Sequence, residues 1–254
     1  MTGFDIPSSV GVSLADGGGK APAEPTVETG NEATEAVKRL RISYSHIREA
    51  TMSVKLRPHL SSHPTELSMT VIEHHAYLTL VLDTEDGPVE VDPMMLEQLG
   101  VSREQAFADA VEWLWFSSSA EDVLAVDTVP GMFYVRPEGG QVASRLMVLP
   151  GLVDEAPLGG VLAAVPCSNQ LLCVPLRSTE MVQAMRVLAG AVGAAYEHAT
   201  HPISDQLFWH DGQDWHVVHV DRGAKEVTVL PPDAFFERMR QVASMDLVRV
   251  AGEA

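Results

Sequence analysis

Residues 161–174 have the sequence Val-Leu-Ala-Ala-Val-Pro-Cys-Ser-Asn-Gln-Leu-Leu-Cys-Val, in which two apolar runs flank a short polar segment. Apolar runs of this length between turn-forming residues are typical of strands that are covered on both faces of a sheet. The polar segment from Pro166 to Gln170 is short enough to connect two antiparallel strands. We therefore predict a hairpin at the centre of a sheet.

Further strands are predicted on both sides of this hairpin. Asp211-Gly212 is a favoured hairpin turn, and strand-forming residues flank it at 203–209 and 215–220. Residues 146–149 fit either a strand or a short helix. The remaining runs of strand-forming residues lie at 67–72, 76–82, 89–91, 132–135 and 227–230.

Two consecutive helices are predicted between residues 92 and 116. Asp92 is a suitable N-cap for a helix whose first residue is Pro93, and Gly100 suits the left-handed position that ends it. Ser102 is a suitable N-cap for the second helix, with Gln105 three residues later as in a capping box. The apolar face predicted for the second helix consists of Ala106, Phe107, Ala110, Val111, Leu114 and Trp115.

Three more helices complete the predicted elements. A short one covers residues 37–47 and runs into a strand, a long one follows Ser178 through about His198, and a last one begins at Pro231-Pro232-Asp233 and runs through about Val242. Groups of strands that alternate with helices, and that are joined by hairpin turns, indicate an α+β fold with mostly antiparallel sheets.

The chain is predicted to have three parts. Residues 1–33 contain Gly17-Gly18-Gly19 and few large apolar residues, so we expect a flexible tail there. The folded remainder is divided into an N-terminal α+β subdomain at 34–126 and a C-terminal α+β subdomain at 127–254. Polar and turn-forming residues at 117–119 and 130–131 bracket this boundary.

Composition and charge restrict the classes of partner. The 254 residues are 46% hydrophobic, and 17 basic against 35 acidic residues give a net charge of −18. Such a charge repels phosphate backbones and acidic membrane surfaces, so we expect neither nucleic acid nor membrane as partner. No apolar segment approaches the roughly 20 residues of a membrane helix, and the first ten residues lack the pattern of a secretory signal. We expect a cytoplasmic protein.

One part of the sequence resembles a known family. Residues 91–111, with the corner Gly100-Val101-Ser102, resemble the helical segment of the bacterial YtpQ-like proteins of unknown function. In those proteins a helix ends at Gly-Val-Ser and a second helix follows. Residues 143–178 and 201–209 are similar in placement to later blocks of that family, so the resemblance spans about residues 65–220. It implies no known activity and therefore assigns no catalytic residue.

The histidines do not form a predicted metal site. His216 and His219 are three residues apart in a predicted strand, so their side chains point to opposite faces, and the adjacent His74 and His75 fail for the same reason. Zinc held by two cysteines and a distant histidine satisfies the ligand chemistry. The two cysteines, however, lie on apolar strands, where buried inert thiols are common. We expect neither a metal nor a cofactor.

Cys167 is the best candidate nucleophile, because it follows Pro166 at the end of a strand. A reactive thiolate needs a nearby cation or helix N-terminus, and Arg177 is the nearest cation in the sequence. A hydrolase or transferase with its site between the two halves, using Cys167 or His201, is therefore one hypothesis.

The preferred hypothesis is a protein-binding surface built on tryptophan. Trp113 ends the second helix, and the Asp211-Gly212 hairpin carries aromatic, acidic and histidine side chains beside it. Exposed tryptophans dominate many protein interfaces. If Trp209 and Trp215 are instead cross-strand neighbours that pack on a helix, they belong to the core. The predicted partner-binding residues are Trp113, Trp209, Asp211, Asp214, Trp215 and His216.

These observations favour a non-enzymatic binding or regulatory module that recognises another protein. A basic partner fits the net charge, because opposite fields accelerate encounter. Two roles fit these observations: neutralisation of a basic toxin or nuclease, as in immunity proteins, and the role of an adaptor. The sequence is also compatible with a homo-oligomer.

Overall fold

A computed structural model of the chain describes residues 51–58, 67–84, 87–136, 142–153, 157–179, 181–223 and 226–252. Residues 50–254 form one compact unit. The predicted tail at 1–33 and the predicted helix at 37–47 lie outside the described residues. The division into subdomains at residue 126 stays a prediction.

The described residues form eleven strands, five α-helices and two short 3₁₀ segments, Ala120–Asp122 and Ala143–Met147. The strands are β1 (Thr51–Pro58), β2 (Ser68–Ile72), β3 (Ala76–Thr84), β4 (Gly87–Glu90), β5 (Val123–Ala125), β6 (Phe133–Val135), β7 (Val161–Cys167), β8 (Gln170–Pro175), β9 (Leu207–His210), β10 (Trp215–Arg222) and β11 (Val227–Leu230). The helices are α1 (Pro93–Leu99), α2 (Arg103–Phe116), α3 (Leu149–Leu152), α4 (Met181–Glu197) and α5 (Asp233–Gly252).

The first four strands form an antiparallel sheet around β3. β1 pairs with β3 along its whole length, from Thr51 opposite Asp83 to Pro58 opposite Ala76. On the other side of β3, β2 pairs with its first half and β4 with its second half. The residues of β3 from Leu78 to Leu82 are all buried, and since successive side chains point to opposite faces, both faces of the sheet are covered there.

The other seven strands form a second antiparallel sheet in the order β11-β10-β9-β7-β8-β6-β5. β7 lies in the middle of this order, and all seven of its residues are buried. β7 and β8 form the hairpin predicted at 161–174, with Ser168-Asn169 as its turn. Two antiparallel sheets with packed helices confirm the predicted α+β fold.

The two predicted helix starts are confirmed at the level of individual hydrogen bonds. Asp92 accepts a hydrogen bond from the Met95 N–H at 2.8 Å, and Gly100 ends α1 with a φ of +67°. Ser102 Oγ accepts from the Gln105 N–H at 3.2 Å. The Gln105 side chain donates to Asp109 at 2.6 Å, one turn further along α2. The contact that starts the helix is therefore the Ser102 cap.

Several predicted boundaries differ from the structure, most of all those of the two long helices. The long helix begins at Met181, three residues after Ser178, and the last helix continues to Gly252, ten residues beyond Val242. Residues 146–149, for which a strand or a short helix was open, belong to helical turns. Val242, at which the prediction ends the last helix, lies in the middle of that helix and is buried beside Gly159 and Leu176.

The main core lies between the seven-stranded sheet and the helices α4 and α5. Apolar residues of α4 at helical spacing face the sheet, and Phe235 of α5 completes the layer. The buried residues of this core are Met132, Leu162, Ala164, Val174, Leu176, Ala184, Met185, Leu188, Ala189, Val192, Leu207, Trp209, Val218, Val220 and Phe235. In the described part of the chain, no helix is long and apolar enough to cross a membrane.

Two glycines in α4 differ sharply in their surroundings. A Cβ atom on Gly193 would lie 2.4 Å from Nε of Arg222, whereas one on Gly190 would have no neighbour within 4 Å. Arg222 is held in place because its guanidinium donates to the Asp205 carboxylate at 2.9 Å. Gly193 is thus required for close packing, and Gly190 is not.

We expect Gly193→Ala to lower the free energy of unfolding by about 1–3 kcal/mol, because the added methyl group collides with Arg222. Gly190→Ala is the matched control and should raise it by about 0.4–1 kcal/mol, since alanine reduces the entropy of the unfolded helix segment. Urea unfolding of both variants measures the difference. Equal effects of the two substitutions would contradict the packing of Arg222 over Gly193.

Candidate functional site

The β9–β10 hairpin divides the predicted binding residues between its two faces. Trp215 pairs with His210, and His216 pairs with Trp209. Paired residues share a face of an antiparallel sheet, and neighbouring residues in a strand point to opposite faces. Trp209 and His216 therefore lie on one face, and His210 and Trp215 lie on the other. The two tryptophans are not cross-strand neighbours.

Trp209 is a core residue. Its side chain is fully buried, its indole Nε1 donates to the Gly159 carbonyl at 2.8 Å, and its ring meets Phe235 of α5 edge-to-face at 5.2 Å. A side chain without exposed area cannot contact a partner. The assignment of Trp209 to a binding surface is therefore corrected, and its packing against a helix matches the core alternative.

The loop between β9 and β10 is organised by Asp211. One carboxylate oxygen accepts hydrogen bonds from the Gln213 and Asp214 N–H groups at 2.8 and 2.9 Å, and the other lies 3.1 Å from His216 Nε2. Arg238 of α5 donates to the Asp211 carbonyl at 2.9 Å. This network fixes the loop to both the sheet and the last helix.

These contacts stabilise the charged form of Asp211. Burial by itself would raise the pKa of this carboxyl, but the hydrogen bonds from Asp214, Gln213 and His216 outweigh burial and lower the pKa to about 2 from the ordinary 3.8. A pKa that is lowered on folding means that the carboxylate contributes stability above about pH 4. That contribution is lost as the pH falls through 2.

We expect Asp211→Asn to lower the free energy of unfolding by about 1 kcal/mol at about pH 7, because the hydrogen bonds from Gln213, Asp214 and His216 no longer end on a charged carboxylate. At about pH 2, where the native carboxyl is half protonated, the difference between the two proteins should shrink. Asp214→Asn removes the same charge from an exposed side chain of the same loop and should change stability by less than about 0.5 kcal/mol. Urea titrations at both pH values test this, and a pH-independent loss at Asp211 would contradict the assignment.

His210 and Trp215 lie on the opposite face of the hairpin, with ring centroids 4.9 Å apart. Burial lowers the pKa of His210, against the opposing fields of Asp211 and Asp214. The imidazole is therefore neutral at physiological pH. It adds an uncharged aromatic ring, whose Nδ1 accepts from the Gly212 N–H at 3.2 Å, to the surface beside α2.

That surface is a groove of about 510 Å³, here named the α2–α3 groove. Trp115 and Phe116 at the end of α2 line it with 46% and 76% of their area exposed. The remaining lining comes from α2, α3 and the segment before α3, together with one residue of β9. These residues are Ala108, Val111, Glu112, Met147, Val148, Pro150, Gly151 and His210.

Trp115 is held in a fixed position by the backbone of α3. A Cβ atom on Gly151 would lie 2.4 Å from two ring carbons of Trp115, so the indole rests directly on this glycine. The expectation that Trp115 belongs to the buried face of α2 is therefore wrong. Successive residues of a helix are rotated by about 100° about its axis. Leu114 is therefore buried in the core, whereas the next side chain, Trp115, lies on α3.

Trp113 does not join the groove. It is 37% exposed, but two residues along a helix do not face the same way, so Trp113 and Trp115 lie on different flanks of α2. The structure brings Trp115, Phe116 and His210 together instead. A sequence signal for this site exists at the end of α2, where Trp115-Phe116 is followed at once by three serines.

The α2–α3 groove lies in an acidic field. Glu112 lines it on the helix side, and the fields of Asp211 and Asp214 reach His210 on the hairpin side, whereas the Asp211 carboxylate itself contacts His216 on the other face. Among the described residues that line the groove, none is a lysine or arginine. The C-terminal end of α2 also has no basic residue in its last turn, so the partial negative charge of the helix end adds to these carboxylates.

Both cysteines are buried thiols. Cys167 donates from Sγ to the side-chain oxygen of Asn169 at 2.9 Å. Burial raises the pKa of Cys173 to about 12. His201 is exposed, and its backbone carbonyl accepts from Ser168 N–H at 3.2 Å. The described partner of Cys167 is therefore a neutral amide, which is not the cation that activates a nucleophilic cysteine.

We expect both thiols to react with a disulfide reagent only after the protein unfolds, because burial and the raised pKa of Cys173 suppress the thiolate. The measurement follows reagent absorbance with and without denaturant. The single variants Cys167→Ala and Cys173→Ala assign each reaction. Rapid modification of Cys167 in the native protein would instead favour the enzyme hypothesis.

The histidine pairs lie in separate surroundings and do not form a metal site with other described side chains. In the described part of the chain, no three histidine, cysteine or acidic side chains are close enough to hold a metal ion. His216 contacts Asp211, whereas His219 lies against His75 with ring centroids 5.9 Å apart. The two histidines of β10 thus have separate surroundings.

Compared with known proteins, the chain matches no family model, no curated protein and no solved structure. The resemblance to the YtpQ-like proteins therefore stays a hypothesis.

Proposed function

We propose that this protein is a non-enzymatic binding module whose α2–α3 groove receives an apolar side chain of a basic partner protein. The observation that carries the proposal is the pair Trp115 and Phe116, exposed side by side in a groove without lysine or arginine in its described lining. Large exposed aromatic groups beside acidic side chains suit a partner segment that combines apolar and basic residues.

The preorganised position of Trp115 supports this use. Its ring rests on Gly151, so little rotational freedom remains to be lost when a partner covers its exposed face. Interfaces gain affinity when their aromatic anchors are already ordered in the free protein. Phe116 is the more exposed of the two and offers the larger area for burial.

The charge supports a basic partner. Glu112 lines the groove, the fields of Asp211 and Asp214 reach His210 on its hairpin side, and the net charge of the chain is −18. Fields of opposite sign accelerate encounter between proteins, and a guanidinium or ammonium group can also stack on an exposed indole. Trp215 and His216 take part indirectly, because they hold His210 and Asp211.

This proposal has two forms. One is immunity-type neutralisation of a basic toxin or nuclease, and the other is the function of an adaptor in the cytoplasm. Both require a specific basic protein as partner and no chemical step. Trp113 belongs to a separate flank of α2 and is not needed for the groove.

The immobilised protein should retain a basic protein from a lysate of its source cells, and the complex should dissociate above about 0.5 M NaCl, where screening is complete within a few ångströms. Phe116→Ser should weaken the purified complex by roughly tenfold or more, because it removes an aromatic anchor. Phe236→Ser is the matched control, since Phe236 is a half-exposed phenylalanine outside the groove. Calorimetric titration measures both affinities.

A second variant tests the position of Trp115. Gly151→Ala should displace the indole and weaken the complex by several-fold, while Trp115 itself is retained. Binding that is unchanged by both Phe116→Ser and Gly151→Ala would contradict the groove as the site, and a retained acidic partner would contradict the role of charge.

A further inference from the structure

The outer strand β11 of the seven-stranded sheet is unprotected. β11 pairs with β10 on one side, and in the described residues no backbone hydrogen bond reaches its other side. Its sequence, Val-Thr-Val-Leu, contains no charge and no proline. Such edges readily pair with another strand, which natural proteins usually prevent with charges, prolines or bulges.

An apolar groove of about 580 Å³, here named the β11 groove, runs beside this edge between α4 and α5. Phe236 of α5 lines it with 49% of its area exposed, and Val227 of β11 lines it with 44% exposed. Leu230, at the end of the same strand, is 53% exposed. The other apolar lining residues are Val182, Met185, Val229, Pro231, Phe235 and Met239.

The stretch of sequence that contains β11 and α5 differs in charge from the rest of the chain. Residues 222–252 contain five basic and four acidic side chains, a net charge of +1, in a chain whose total is −18. Two copies of such a chain repel each other least where this segment meets its equivalent. A basic partner, in contrast, is attracted to the acidic remainder.

The charged residues that line the groove are of opposite sign. They are Arg186 on α4 and Glu226 immediately before β11. A twofold interface brings each patch against its own copy, so a surface that carries one cation and one anion can complement itself. An antiparallel pair of β11 strands has this symmetry.

We propose that β11 and the β11 groove bind a second copy of this chain, with the two β11 strands antiparallel and the two seven-stranded sheets joined into one. Phe236 and Val227 of each copy are covered in this dimer. The proposal does not depend on the α2–α3 groove, which lies on other elements.

Sedimentation velocity across the micromolar range should show a particle of twice the mass of the chain. Val227→Lys places a charge on the edge of β11 and should raise the dissociation constant by about tenfold or more. Phe236→Ser should also weaken the dimer. Phe116→Ser is the matched control and should leave the mass of the particle unchanged. The complex with the basic partner should respond in the opposite way, since it is weakened by Phe116→Ser and not by Phe236→Ser.

Disulfide cross-linking locates the contact. Thr228→Cys should form a covalent dimer under oxidising conditions, because equivalent β11 strands lie side by side, whereas Asp109→Cys on the exposed face of α2 should not. The native thiols are buried and do not compete. A monomer at all concentrations, a dimer unaffected by Val227→Lys and Phe236→Ser, or a cross-link from Thr228→Cys to another segment of the same chain would each overturn the proposal.

Discussion

The hydrogen bond from the Trp209 indole to the Gly159 carbonyl fixes the centre of the protein. It lies inside the core, where an unpaired N–H would cost free energy, and it positions a ring that meets Phe235 on α5 and His216 on β10. His216 in turn contacts the Asp211 carboxylate that closes the hairpin loop. The helix, the sheet and the loop beside the candidate site therefore share one buried tryptophan.

The two sides of the β9–β10 hairpin have different roles as a result. The side of Trp209 is closed by α5 and makes the loop rigid. The side of His210 and Trp215 opens onto the α2–α3 groove. A rigid support beneath an exposed aromatic surface favours binding, because the conformational entropy of the side chains and the loop is then lost during folding and not during association.

The sequence predicts those elements whose structure depends on near neighbours. The Asp92 and Ser102 caps, the Gly100 terminator and the turn at Asp211-Gly212 each involve contacts across a few residues, and all are present. The order of the seven strands depends on contacts between distant segments, such as β6 with β8 and β7 with β9, for which the sequence carries no local pattern. The errors at Trp209 and Trp115 have the same origin. Trp209 is predicted to bind a partner and is buried, whereas Trp115 is predicted to be buried and is half-exposed. Trp209 lies in an apolar strand and Trp115 at the end of an amphipathic helix, and only the placement of α5 and α3 decides how far each ring is covered.

Residues 222–252 carry a net charge of +1 in a chain whose total is −18, and a molecule whose charges are unevenly separated in space has an electric dipole in addition to its net charge. A charged body that approaches from a distance exerts a torque on such a dipole before any atoms touch. Productive encounters are then a larger fraction of all collisions, and the advantage diminishes as ionic strength rises. Uneven placement of a few arginines can thus influence the rate of assembly as much as the shape of the contacting surfaces does.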